Sequence, residues 1–293
     1  MNKGVLLVLG TAVISGISIF LNAFAVKGMS ADLFTFTKNI IVAVALVSII
    51  LISGNWAHVR KLTAKEWRLL TLIGFVGGSV PFILFYRGLQ LSTASTGSFL
   101  QKIQFVFVAV IAAMWLREDV KKYLLPGGLI LLGNILLLGF SGFSFGLGEV
   151  LILAATILWS IENVLSKSAT KRISGTLVAA ARMGFGAVFL FAWLVLSGQT
   201  GGILTWNPAQ LEWIIITALF LLGYVLMWYN GIKYIPISLA TMLLQLGAPI
   251  TIILNYLMLG KSVLVVQVVG CILIGAATLW MVSRVRAPMS QRT

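Results

Sequence analysis

Apolar residues run along this chain in blocks of about twenty, separated by short polar turns. Ten blocks stand out, at about 4 to 26, 33 to 53, 67 to 87, 94 to 116, 123 to 141, 147 to 166, 176 to 197, 211 to 232, 237 to 259 and 263 to 283. A helix of about 20 apolar residues crosses a hydrocarbon core roughly 30 Å thick, so each block is a candidate span. Inside that core every backbone N–H and C=O needs an internal partner, so the blocks are expected to be helices. The first block follows Lys3 and ends near Ala23-Phe24-Ala25, features shared with cleavable signal peptides. Its apolar stretch is long for a signal peptide and the repeat described next requires it, so it is read as a retained span.

The chain repeats itself. Residues 4 to 54 slide onto 148 to 198 without a gap, with 14 of 51 positions identical. Gly4 meets Gly148, Lys27 meets Lys171, and Ser53-Gly54 meets Ser197-Gly198. Further on, Trp67 and Gly77 fall on Trp213 and Gly223; after a three-residue slip, Tyr86, Gly88 and Ser95 fall on Tyr229, Gly231 and Ser238. Each half holds five blocks, and because five is odd the second copy must enter the membrane from the opposite face. Inverted repeats of this kind are widespread in secondary transporters. The expected fold is therefore an all-α integral membrane protein. Its ten transmembrane helices form two inverted five-helix repeats, 1 to 145 and 146 to 293, within one integrated membrane domain.

Composition agrees with a membrane protein: 60% of the 293 residues are hydrophobic and 10% charged. The net charge of +14 comes from Lys and Arg clustered between the apolar blocks, which argues for topology and against a nucleic-acid-binding domain. With the N-terminus inside, one face collects 15 basic residues and the other only Lys27, Arg87 and Lys261. Both termini are thus predicted to be cytoplasmic in a cell-membrane protein. The single Cys271 lies in a span and the single His58 in a loop; HExxH is absent, and Gly146-x-Gly148 opens a span rather than following a strand. No metal or other cofactor is expected, nor enzymatic activity.

Four charged residues fall within spans: Lys38, Lys102, Glu162 and Arg182. Each costs roughly 2.5 to 3.5 kcal/mol on insertion scales and so calls for a cavity or a partner. Helical spacing places Ser15, Ser18 and Asn22 on one stripe, and the repeat maps these onto Trp159, Glu162 and Ser166. Gln101 and Gln104 share a face, Lys102 lies on its neighbour, and Lys102 maps onto Gln245. Candidate substrate-binding residues are Lys102 and Glu162, with amides from Gln101, Gln104, Asn163 and Gln245, and rings from Tyr86, Trp159, Trp228 and Tyr229. Glu162 has two candidate tasks, meeting a substrate amino group or carrying a proton, and a fixed Lys102–Glu162 ion pair is an alternative. Lys38 and Arg182 are expected to be structural charges that snorkel to the headgroups. Trp56, Trp67, Trp115, Trp206 and Trp213 are assigned to interfacial belts, and Gly74, Gly78, Gly270 and Gly275 to close helix packing. Glu118 and Asp119 are read as a solvated cytoplasmic turn.

The chain resembles the drug/metabolite transporter superfamily, in particular its ten-helix EamA-type members. The resemblance rests on the five-plus-five arrangement, LWSIENVLSKSA at 158 to 169, Arg182, and WLRE at 115 to 118. Three features depart from it: Ser15 stands in the first span where Trp159 stands in the sixth, Leu259-Gly260-Lys261 ends the ninth span where an acid is common, and the fourth lacks a counterpart of Pro249. The resemblance implies transport, with a lean towards export.

The expected activity is secondary active transport of small organic metabolites by alternating access, with amino acids or related carboxylates favoured. A flippase for a lipid-linked sugar or another amphiphile is the alternative transport reading. An intramembrane enzyme would need a dyad or metal set, and the spans hold one acid and no histidine. The expected partners are a small-molecule substrate and the lipid bilayer, with a monomer favoured.

Overall fold

A computed structural model describes residues 2–25, 29–54, 56–92, 94–138 and 146–285, with all side chains among them except those of Ala94, Ser95, Leu138 and Leu204. Lys27, Arg286 and Arg292 of the charge count, and the side chain of Ser95, lie outside the described residues.

The helices are α1 (Lys3–Ala25), α2 (Ala31–Ile52), the short α3 (Trp56–Arg60), α4 (Ala64–Gly78), α5 (Val80–Leu91), α6 (Ala94–Lys102) and α7 (Gln104–Trp115). They continue with α8 (Leu124–Leu138), α9 (Leu147–Ala169), α10 (Gly175–Leu196), α11 (Pro208–Gly231), α12 (Ile237–Leu243), α13 (Gly247–Leu259) and α14 (Val265–Val285). Among the described residues nine helical stretches are long and apolar enough to cross a membrane. The sequence block at 123 to 141 appears as α8, which packs along α14 and reaches residues outside the described set.

Local chemistry sets the helix starts. Thr63 and Glu66 form a reciprocal capping box at α4, and Asn207 with Gln210, followed by Pro208, does the same at α11. Ser174 caps α10 through the Leu177 amide.

The packing maps onto itself when the halves are exchanged. α1 lies against α11 as α9 lies against α4 and α5, while α2 pairs with α10 and α8 with α14. Backbone conformation follows the same register: Gly54 and Gly198 both have φ of 70°, and Arg117 (56°) matches Gly260 (62°). Arg117 is the costly member of the second pair, since a side chain rarely occupies that left-handed region.

Three of the apolar blocks are not continuous helices. Ser79 separates α4 from α5, Ile103 separates α6 from α7, and a 3-10 turn at Leu244–Leu246 separates α12 from α13. Pro81 accounts for the first break and Pro249 for the third, because neither supplies the N–H that the carbonyl four residues earlier would receive. The second and third are mirror positions. Each break rests on a helix of the other half: Ser160 on α9 donates to the Gln104 carbonyl (3.4 Å), and the 3-10 turn packs on α1, where Thr251 further along α13 donates to the Gly16 carbonyl (2.9 Å). Discontinuous helices near mid-membrane are a recurring way to bring free backbone groups to a binding site.

Gly74 and Gly78 do allow close helix approach. A Cβ on Gly74 would lie 2.4 Å from Phe185 Cβ, and one on Gly78 2.5 Å from the Arg182 carbonyl. Gly270 meets the Gly133 carbonyl in the same way, at 2.7 Å, but Gly275 faces open space.

Candidate functional site

Between the halves lies a cavity of about 430 Å³, large enough for a small metabolite. Glu162 approaches it from α9 and is 3% exposed. Its Oε1 accepts hydrogen bonds from Ser166 Oγ (2.6 Å), one turn on, and from Tyr229 OH (2.7 Å) on α11. Arg182 Nε stands 3.8 Å from the same oxygen, an ion pair without a hydrogen bond. Oε2 accepts from no described residue and is not fully buried, so it faces the cavity.

The Pro81 break builds this corner. With no N–H at position 81, the Gly77 carbonyl is free, and it accepts both Arg182 Nη2 (3.0 Å) and Trp159 Nε1 (3.2 Å). The next carbonyl, of Gly78, accepts Asn39 Nδ2 (3.1 Å). Gly77 must also lack a side chain, because a Cβ there would fall 2.2 Å from Glu162 Cγ. A broken helix thus orients the arginine, the tryptophan and, through them, the buried carboxylate.

Lys102 ends α6 at the second break and lines the same cavity. Among the described residues its ammonium has neither a hydrogen-bond nor an ion-pair partner, so the alternative Lys102–Glu162 pair is not formed. Glu162 pairs with Arg182 instead. The side-chain amides of Gln101 and Gln104 are likewise unengaged among the described residues. Gln245, the mirror of Lys102, is held: its Oε1 accepts from Asn134 Nδ2 (3.3 Å) and its Nε2 donates to the Thr241 carbonyl (3.4 Å).

Rings close the chamber. Trp159 lies edge-on to Phe82 (5.2 Å between centroids) and tilted against Phe85 (5.4 Å), and Tyr86 stacks on Phe82 (6.4 Å). On the other side Trp228 stacks on Tyr224 (6.3 Å). Asn163 completes the lining and donates to the Trp159 carbonyl (3.0 Å).

All ten candidate binding residues therefore face one cavity, and Lys38 and Arg182 join them. Neither of these two cations snorkels. Lys38 is 9% exposed, donates to Asn22 Oδ1 (3.0 Å) and sits 4.6 Å over the Phe34 ring. Sequence reasoning passed over Phe34, Thr35, Asn39, Phe105, Thr217 and Thr241, which also line the cavity. Lys38 carried the available clue, because Thr35 lies one turn before it and Asn39 directly follows it on α2.

The two ends of the cavity differ. All seven residues of α12 are buried, whereas in its mirror α6 the side chains of Thr96, Ser98, Phe99, Gln101 and Lys102 stay partly exposed. At the α12 end Glu118 does not form a solvated turn. Its carboxylate accepts from Ile237 N (2.8 Å), Ser238 N (3.0 Å) and Ser238 Oγ (2.7 Å), capping α12. Lys167 Nζ grips the turn just before it, donating to the carbonyls of Ile232 (2.6 Å), Lys233 (3.3 Å) and Ile235 (2.9 Å). The mirror position of Glu118 is Lys261, a cation that repels the positive end of a helix dipole.

A multi-pass bundle of two related halves around a solute-sized polar chamber has the build of a membrane transporter. The EamA-like transporter family matches residues 2–140 and 146–283, one copy in each half, and the chain belongs to that family. An uncharacterized transporter of Synechocystis sp. is 25% identical over 245 residues, 77% of this chain and 69% of that one. A probable terminal-alkyne amino-acid exporter of Streptantibioticus cattleyicolor is 24% identical over 249 residues, 84% of this chain and 80% of the other. The riboflavin transporter ImpX of Fusobacterium nucleatum is 25% identical over 247 residues, covering 78% and 80%. A crystal structure superposes with a TM-score of 0.78 at 16% identity, spanning 96% of this chain and 98% of that one, a likeness of fold. The protein is a multi-pass small-molecule transporter of the cell membrane.

Proposed function

We propose that the protein is a secondary transporter of small organic metabolites, with amino acids the favoured class, and that it works by alternating access in the direction of export. In this reading ten spans form two inverted repeats with both termini cytoplasmic. The observation that carries the substrate class is a pair of groups of opposite charge with unengaged atoms in one chamber: Glu162, paired with Arg182 through Oε1, leaves Oε2 open to a substrate ammonium, and Lys102 Nζ is open to a carboxylate. Gln101 and Gln104 add neutral donors and acceptors beside Lys102, and the rings of Tyr86, Trp159 and Trp228 take the organic body. The amino-acid exporter among the relatives supports the same class and direction.

Alternating access follows from the mirror relation. α6 and α12 occupy equivalent places, yet one is buried and latched and the other is partly open; exchanging their environments would seal the α6 end and open the α12 end. A proton on Glu162 competes with a substrate ammonium for the same carboxylate, which couples the two at one group.

Counterflow of labelled amino acids into proteoliposomes tests the reading. Saturable exchange of at least one amino acid is expected, and Glu162→Gln should lose it. Absence of exchange for every water-soluble solute, together with movement of a labelled lipid, would replace this reading with a flippase.

A further inference from the structure

The two halves contribute unequal polar pockets to the cavity. In the second half, Arg182 on α10 faces the carboxylate of Glu162 on α9. The repeat register puts Lys38 on α2 in the place of Arg182, and Ser18 on α1 in the place of Glu162. The cation is kept and the acid is missing. Among the described residues Lys38 has only the neutral oxygen of Asn22 and the face of Phe34 for company. Ser18 Oγ is buried beside the cavity and has no hydrogen-bond partner among the described residues.

An unpaired buried hydroxyl and an ammonium without a counter-ion are both costly, and here Ser18 lies one turn before Asn22, the residue that Lys38 bonds, with all three at one cavity. Together with Lys102 and Arg182 against the single Glu162, the cavity carries a formal +2 with all four groups ionised. An oxyanion at the Lys38 corner would accept from Lys38 Nζ and, once the hydroxyl turns toward the cavity, from Ser18 Oγ, and would supply the charge that Glu162 supplies opposite.

We propose that Lys38, Ser18 and Asn22 form a second anion subsite, so that the transported solute is an amino acid with two acid groups: one carboxylate at Lys102, the second at Lys38, and its ammonium at Glu162. This inference rests on the amino-acid reading above and narrows it. Lys38 and Ser18 become the residues that select for the second acid group.

Glutamate and glutamine make the decisive comparison, since they have nearly the same shape and differ in the second carboxylate. In proteoliposome counterflow the wild-type protein should half-saturate at a glutamate or aspartate concentration roughly 10- to 100-fold below that for glutamine, as the loss of a charge-assisted hydrogen bond predicts. Lys38→Gln should bring glutamate to the level of glutamine. Ser18→Glu places a carboxylate where the second half already has one, so it should invert the preference towards glutamine and other monocarboxylic amino acids. Equal handling of glutamate and glutamine by the wild-type protein overturns the subsite while leaving amino-acid transport standing. A glutamate preference that survives in both variants overturns it as well. Transport of no amino acid at all overturns this inference and the reading beneath it. If a variant fails to fold, the wild-type comparison alone decides.

Discussion

Glu118→Ala removes one carboxylate and strands three donors at the start of α12. Ile237 and Ser238 are both 0% exposed, so their amides cannot turn to bulk water in the sealed conformation. A buried donor without a partner costs roughly 1 to 3 kcal/mol, and the Ser238 hydroxyl can rotate to another acceptor. Counting the two amides near the low end gives about 2 to 3 kcal/mol, or roughly 30- to 150-fold in the equilibrium that opens this end. Hydrogen–deuterium exchange at the amides of 237 to 243 reads that equilibrium directly. Faster exchange by about this factor, concentrated in this segment, is expected. Glu118→Gln keeps one acceptor oxygen and should show about half the free-energy effect. Unchanged exchange in Glu118→Ala would refute the claim that the carboxylate latches α12.

Further tests address the buried corner. Gly77→Ala drives a methyl into Glu162 Cγ and should lower stability by about 1 to 3 kcal/mol, seen as a lower melting temperature in detergent. Pro81→Ala restores an N–H that competes for the Gly77 carbonyl; loosened Arg182 and Trp159 should weaken solute binding in a titration, and unchanged affinity would count against the role given to the break. Glu162→Gln leaves Arg182 buried without its counter-charge, so destabilisation of about 3 to 5 kcal/mol is expected along with lost transport. The double variant Glu162→Gln with Arg182→Gln should recover much of that stability and none of the transport.

Much of this was legible in the sequence because it depends on local periodicity. Blocks of apolar residues gave the helices, and the register that pairs Gly54 with Gly198 is repeated in their identical backbone twist. Polar residues on one helical stripe, such as Ser15, Ser18 and Asn22, could be seen to face a common space, because helical geometry fixes that from spacing alone. Partnerships across the fold were not legible. Arg182 rather than Lys102 meets Glu162 because α9 and α10 both pack on α4 and bring the two side chains together at Gly77, which spacing along one helix cannot show. Glu118 looked solvated because its partners, Ile237 and Ser238, lie more than a hundred residues away. Pro81 was visible, but its effect, freeing one carbonyl for two side chains from α9 and α10, needs the packed structure. The break at Ile103 has no proline to announce it.

Sided access to the cavity is the most direct test of the central claim. In a Cys271→Ser background, a cysteine placed at Gln101 lies on the cavity wall near the open α6 end. A membrane-impermeant thiol reagent should modify it from the side at which α6 begins and not from the side of α12, and a transported solute should slow the reaction. Failure to react from either side in folded protein, or reaction only with a lipid-soluble reagent, would mean that no water-filled chamber lies between the halves.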